Sequence, residues 1–284
     1  MYRFLWRPWW IVSHLAVIAL IVTMANLCAW QLRRLDEKQD RNALVEQNVS
    51  VAPVSLGELL DELDHSSIDE LRYRRVTVTG TYDTSAEVAI HNRTLDGAPG
   101  RWVATPLVGS GGEPVPVLVV RGFIPLAVDD VKPPFDGAEP PAGAVTVTGW
   151  VQSTQTRGSF GATDDPKGTL TELARVDVAR VAQQYGKLAP FWLQLESQEP
   201  PSGAALLSAV PLPDLDEGPH LGYALQWAIF TTIAIVGYPL VIRKVARQRL
   251  PGDDEVGAGP PEGGPDPDDP TAGITSVVGS APSP

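Results

Sequence analysis

His220-Leu-Gly-Tyr-Ala-Leu-Gln-Trp227 opens a predominantly apolar run of 22 residues, Leu221 to Ile242, that ends in Arg243-Lys-Val-Ala-Arg-Gln-Arg249. A helix of that length crosses a hydrocarbon core of about 30 Å, and the basic cluster assigns its C-terminal end to the cytoplasm. A histidine, a tyrosine, a glutamine and a tryptophan are then expected together at the outer mouth of a membrane helix. The reading of everything upstream follows from this orientation.

A second apolar run, Trp9 to Trp30, lies near the N-terminus. It is long for a signal peptide and has no small-residue cleavage pattern, so it is expected to be a retained anchor. Its flanking charges are ambiguous, with Arg3 and Arg7 before it and Arg33, Arg34, Lys38 and Arg41 after it. The second run is unambiguous, because no Lys or Arg occurs between Lys187 and His220 while four follow Ile242. An even number of spans then predicts residues 1–8 inside, residues 31–219 outside and residues 243–284 inside, as in a multi-pass protein of a bacterial inner (plasma) membrane.

Composition narrows the function classes. The formal net charge of −12 is concentrated in residues 250–284, which hold seven acidic groups, eight Pro, seven Gly and no Lys or Arg. Such a tail cannot bury apolar surface and reads as disordered. The remainder carries −5, which argues against nucleic acid as a partner. Cys28 is the single cysteine and falls inside the first span, so the outer domain has no disulfide, no C-x-x-C site and no thiolate metal site. Methionine occurs only at Met1 and Met24. There is no G-x-S-x-G, H-E-x-x-H, Walker or G-x-G-x-x-G pattern, and the expectation is a protein that is not an enzyme.

The central segment, roughly 185 residues, suffices for one core. Leu32 to Asn48 is charged and helix-forming, and is expected to continue the first span. Ser55 caps a helix over Leu56 to Leu63, with Glu58 at the capping-box position. Periodicity then changes to two in Val76-Thr-Val-Thr-Gly-Thr-Tyr82, and Val-Thr-Val-Thr-Gly returns at Val145 to Gly149. The echo marks either two equivalent strands or a coincidence among β-forming residues. Glu87 to Asn92, Trp102 to Val108 and Val117 to Ile124 are separated by Asp96-Gly97, Pro99-Gly100 and Gly109-Ser-Gly-Gly112, and predict an antiparallel meander. Asp177 to Tyr185 reads as a helix and Phe191 to Glu196 as a last strand. The predicted fold class is an α+β membrane protein, with two transmembrane helices flanking an antiparallel, β-rich extracytoplasmic domain, a small barrel or sheet with one or two helices.

Six short motifs occur in order: Trp30-Gln-Leu-Arg33; Tyr73-Arg-Arg-Val76 with Gly80 and Tyr82; Asn92-Arg93; Pro99-Gly100 with Thr105-Pro106; Val119-Val-Arg-Gly-Phe-Ile-Pro125; and His220 with Tyr223-Ala-Leu-Gln-Trp227. In this order, between two spans, they resemble the Surfeit-locus assembly factors for cytochrome c oxidase over about Trp30 to Arg243. The sequence departs from that pattern at Cys28, where glycine is usual, and at Val120, where asparagine is common. The resemblance implies a two-span inner-membrane protein that helps mature subunit I of a haem-copper oxidase, with haem a as a transient cargo. The alternative partner is the mature oxidase or a respiratory supercomplex, in which the chain would be a permanent structural subunit. A membrane-anchored hydrolase or sensor is a third class, for which no nucleophile and base pair is evident.

At helical spacing His220, Tyr223 and Trp227 share a face. Two readings stand side by side. His220 coordinates haem iron while Tyr223, Trp227 and Trp30 pack on the porphyrin, or the aromatics form an interfacial belt and His220 is a solvated helix-start residue. Arg34 either pairs with a propionate or snorkels to lipid phosphate. Gln31, Gln226 and Arg121 are candidate partner contacts, with pairing to a domain carboxylate the default for Arg121. His14 is expected to pack against the other span, roughly 20 Å or more from His220, which opposes a bis-histidine haem site. His65 and His91 read as surface residues.

Overall fold

The Val-Thr-Val-Thr-Gly echo pairs with itself. In the computed structural model, which describes residues 3–110, 115–126, 133–158 and 161–248, the two copies lie in adjacent antiparallel strands, with Val78 opposite Val147, Thr77 opposite Thr148 and Thr79 opposite Thr146. Valines of both copies face one core, and the threonine hydroxyls meet across the other face at 3.3 and 3.0 Å. The repeat therefore serves one strand pair, each copy supplying the half that the other needs.

In chain order the elements are α1 (Pro8–Ser50), β1 (Val54–Ser55), α2 (Leu56–Leu63), β2 (Arg75–Tyr82), β3 (Val88–Leu95), β4 (Ala98–Gly109), β5 (Val117–Pro125), β6 (Val145–Ser153), β7 (Glu172–Leu173), α3 (Val178–Tyr185), β8 (Phe191–Glu199) and α4 (His220–Gln248). Short 3-10 turns occupy Arg3–Trp6 and Thr84–Ala86. The chain divides into two units, residues 1–26 with 227–284, and residues 27–226.

In the larger unit β2, β6, β8, β5 and β4 pair in that order, and β4 pairs back onto β2. This closes a five-stranded barrel, with β1, β3 and β7 as additional strands. The all-antiparallel expectation is corrected here to a mixed sheet, since β5 and β8 run parallel, as do β1 with β2 and β3 with β7. The reason for β5 and β8 is parity. Each antiparallel contact reverses direction, so a closed ring needs an even number of them, and a ring of five must contain a parallel pair.

Gly80 sits at the seam, opposite Val145 of β6 and Gly109 of β4. A Cβ there would come within 2.3 Å of the Val108 carbonyl oxygen, so only glycine lets β4 approach. Asp96-Gly97 forms the two-residue turn between β3 and β4, both residues at positive φ. Pro99-Gly100, expected as a turn, lies instead inside β4.

Val117-Leu-Val-Val120 is buried on both faces. Val117 and Val119 point into the barrel core with Val78, Val147 and Leu193, while Leu118 and Val120 lie under α3 with Val178 and Val181. α2 closes on the barrel core through Leu56 and Leu59, both fully buried. Its start is fixed by the expected capping box: the Glu58 amide donates to the Ser55 hydroxyl at 3.2 Å, and the Ser55 amide to the Glu58 carboxylate at 2.9 Å.

The smaller unit holds the apolar part of α1 up to Asn26, and α4 from Trp227. Both helices are long and apolar enough to cross a membrane. At 43 residues α1 extends about 65 Å, twice what a bilayer core requires, and its charged second half is the predicted continuation. His14 meets the other span as expected, its Nδ1 lying 2.6 Å from the Tyr238 hydroxyl, which is also 3.0 Å from Ser13 Oγ. Such polar contacts hold neighbouring membrane helices together. The acidic tail, residues 250–284, and Gly111-Gly112 lie outside the described residues.

Candidate functional site

In the larger unit, the polar second half of α1 is tied to the segment that leads into α4. Arg41 donates to the Asp214 carbonyl at 3.2 Å, Asn42 to the Leu215 carbonyl, and Gln39 to Glu217 at 3.2 Å. About three turns back along α1, Cys28 Sγ lies 3.3 Å from the Ala224 carbonyl oxygen. Ala224 is buried, and its small side chain permits that approach. The departure at Cys28 thus falls on a helix contact.

His220 is placed by this packing. Its Nδ1 lies 2.8 Å from Gln31 Oε1, and Gln31 is buried whereas His220 is half-buried. With the amide oxygen as acceptor, Nδ1 carries the proton and donates it, leaving the lone pair of a neutral ring on Nε2. No other hydrogen bond to the ring is found among the described residues. A histidine oriented through one nitrogen with the other free is the arrangement in which imidazole binds a metal ion. Gln31, read from sequence as a partner contact, is the residue that orients His220. The two stand far apart in the chain and carry no local pattern, so pairing them required the fold.

The other predicted residues distribute as follows. Trp30 and Tyr223 are about half exposed, at 50% and 49%, and Gln226 is exposed. Trp227 falls in the smaller unit, where it meets Phe230 edge-on at 6.1 Å between ring centroids. Arg34 is exposed and paired with Glu37 one turn along α1. His91 pairs with Glu172 at 3.1 Å, and His65 is exposed in a turn after α2.

Arg121 is not a surface residue. It points into the barrel, 4% exposed, and its Nη2 donates to Glu87 Oε2 at 2.6 Å while its Nε donates to the Thr105 hydroxyl at 2.8 Å. Thr105 in turn donates to Glu87 at 2.7 Å, and the Phe135 amide reaches the other carboxylate oxygen at 3.2 Å. The expected carboxylate partner exists and is Glu87. Tyr82 lies under the guanidinium at 5.6 Å and donates to Gln198 Oε1 at 3.0 Å. Burial pushes the Tyr82 hydroxyl well above its ordinary value, with the Arg121 charge opposing, so it remains a protonated donor.

Fold and site together define a protein with two potential membrane helices, a mixed five-stranded barrel and a half-buried histidine at the start of the second helix. The chain matches the SURF1 family over residues 18–232. It is 31% identical to an uncharacterized SURF1-like protein of Mycobacterium tuberculosis, over 91% of this chain and 92% of that protein. It is 27% identical to Surfeit locus protein 1 of Rattus norvegicus, over 81% of this chain and 74% of that protein. A SURF1-like protein of Monosiga brevicollis is 25% identical over 81% of this chain and 87% of its own length. The chain belongs to the SURF1 family, known generally as oxidase assembly factors.

Proposed function

We propose that the chain is a non-enzymatic assembly factor for a haem-copper cytochrome c oxidase, and that it presents haem a to subunit I as that subunit matures. The observation that supports this reading is the His220–Gln31 contact, which engages Nδ1 and leaves Nε2 without a hydrogen-bond partner among the described residues, open to bind iron. Gln31 keeps the ring from turning. Trp30 and Tyr223 offer exposed aromatic surface in the same unit, suited to a porphyrin face or a partner helix. Arg34 reaches a propionate only by giving up Glu37, an exchange that costs little between exposed groups.

The reading places residues 31–219 outside a bacterial inner membrane and both termini inside. In a Cys28→Ser background, a cysteine introduced at Gly111 is expected to react with an impermeant thiol reagent in intact spheroplasts, and one at Gly257 only after lysis. The reverse pattern would put His220 on the cytoplasmic side and defeat the site assignment.

The direct test is His220→Ala. The variant is expected to insert and fold normally, to lose most co-purifying haem and to lower the haem a content of the oxidase. An unchanged haem spectrum sinks the ligand role. The alternative of a permanent subunit draws support from exposed Leu221 and Leu225, which flank Tyr223 and suit a standing helix contact. A permanent subunit co-purifies with mature oxidase in fixed stoichiometry, whereas an assembly factor is recovered with immature subunit I.

A further inference from the structure

A pocket of about 330 Å³ opens beside the end of the barrel, between β8 and the segment that follows it. Leu195, Pro201, Ala204 and Leu207 supply apolar walls, and Arg121, Gln198, Ser197 and Ser202 supply polar ones. Arg121 and Gln198 each carry a surplus donor. Arg121 has spent Nη2 on Glu87 and Nε on Thr105, and its Nη1 is buried with no hydrogen-bond partner among the described residues. Gln198 accepts from Tyr82 through Oε1, and its buried Nε2 likewise has no partner among the described residues. A buried donor left unpaired is costly, and here two such groups belong to residues lining one pocket.

Charge decides what would satisfy them. Glu87 already neutralises Arg121 at 2.6 Å and is itself saturated by Thr105 and the Phe135 amide. Glu139, anchored to the Gly137 amide at 3.0 Å, adds negative potential nearby. A second full anion entering this site would leave the buried ensemble net negative and desolvated, which is expensive. A neutral oxygen acceptor meets the same donors without that penalty. We propose that this pocket binds a neutral amide carbonyl carried on a small apolar body, either a backbone carbonyl of an extended peptide or a free amide, held by Arg121 Nη1 and Gln198 Nε2. The bulk of the ligand lies against Leu195, Pro201 and Leu207, and the volume sits at the small end of the range for ligand sites.

The test uses the full chain in lipid nanodiscs and fluorine NMR, with empty nanodiscs subtracted. The probes are 4-fluoro-N-methylbenzamide, N-acetyl-4-fluorophenylalanyl-alanine N-methylamide, and 4-fluorobenzoate as the anionic isostere. At least one amide is expected to bind, about tenfold or more tightly than the benzoate. Tighter binding of the peptide assigns the source to a polypeptide, and tighter binding of the benzamide to a small molecule. Gln198→Glu keeps the acceptor for Tyr82 but puts the disfavoured negative charge in place of the free donor, so it is expected to weaken the amide about tenfold and to lower the melting temperature, with the near-ultraviolet circular dichroism of the folded barrel retained. Absence of amide binding up to about 10 mM, equal binding of benzoate, or an undiminished affinity in Gln198→Glu overturns the proposal. Because His220 plays no part, His220→Ala is expected to bind the probes as wild type does, which separates this test from that of the haem role.

Discussion

Two carboxylate–guanidinium pairs show how little a contact distance says about its energy. Arg121–Glu87 and Arg34–Glu37 are both short, yet the side chains of the first are 1% exposed and those of the second 52% and 61%. Inside the barrel neither charge has water to fall back on, and each depends on the other plus Thr105 and the Phe135 amide. On α1 both charges stay hydrated, and the pair is a neighbourly i,i+3 contact. The first therefore holds structure together, and the second leaves its arginine available for other partners.

The largest effect that would break this contrast comes from Glu87→Ala. Removing one partner of a buried pair leaves Arg121 charged and unsatisfied, and a loss of about 3–5 kcal/mol is expected. Thermal unfolding followed by near-ultraviolet circular dichroism measures it, and a melting point within error of wild type would mean that water enters the barrel. Gln31→Leu comes next. It frees the His220 ring to rotate, so haem recovery should fall partway toward the His220→Ala level while stability drops by only about 1 kcal/mol. Full haem recovery in that variant would show that Gln31 does not orient the ring.

Arg34→Gln is expected to change stability by less than about 0.5 kcal/mol. A fall in haem recovery at unchanged stability would assign the guanidinium to the cargo, and no change in either would leave it as a solvated charge. The smallest effect concerns the cap of α2. The Ser55 amide, and then its hydroxyl, holds the Glu58 carboxyl below the usual carboxylate range. A lowered folded-state value means that the stabilisation is present above the ordinary carboxylate range and disappears as pH falls through the lowered value. The stability difference between wild type and Glu58→Gln should accordingly shrink as pH falls from neutral through the carboxylate range. A difference constant over that interval would detach the cap from its charge.

Local chemistry was readable in the sequence, and long-range pairing was not. Ser55 with Glu58 marks the start of α2, the run from Asp177 to Tyr185 marks α3, and the valine alternation marks β2 and β6, because each signal sits within a few residues. β7, only Glu172–Leu173, has no periodicity to detect. Pro99-Gly100 misled, since the tight turn is complete at Gly97 and Gly100 instead makes room for the Phe123 ring, 2.3 Å from where a Cβ would stand. The parallel contact of β5 with β8 depends on how a ring closes, which no local window contains. The same holds for the site: His220 was evident as a residue type, but its Gln31 partner and the Glu87 bound to Arg121 come from distant strands and helices.

The odd ring also has a consequence for the order of events on the ribosome. β8 fills the gap between β5 and β6 and is the last strand of the barrel to be made. Until Phe191–Glu199 emerges, β5 and β6 each present an unpaired edge, of the kind that invites adhesion to other nascent chains. His220 and the second apolar helix follow after only a short stretch, so the strand that seals the barrel and that helix leave the ribosome close together.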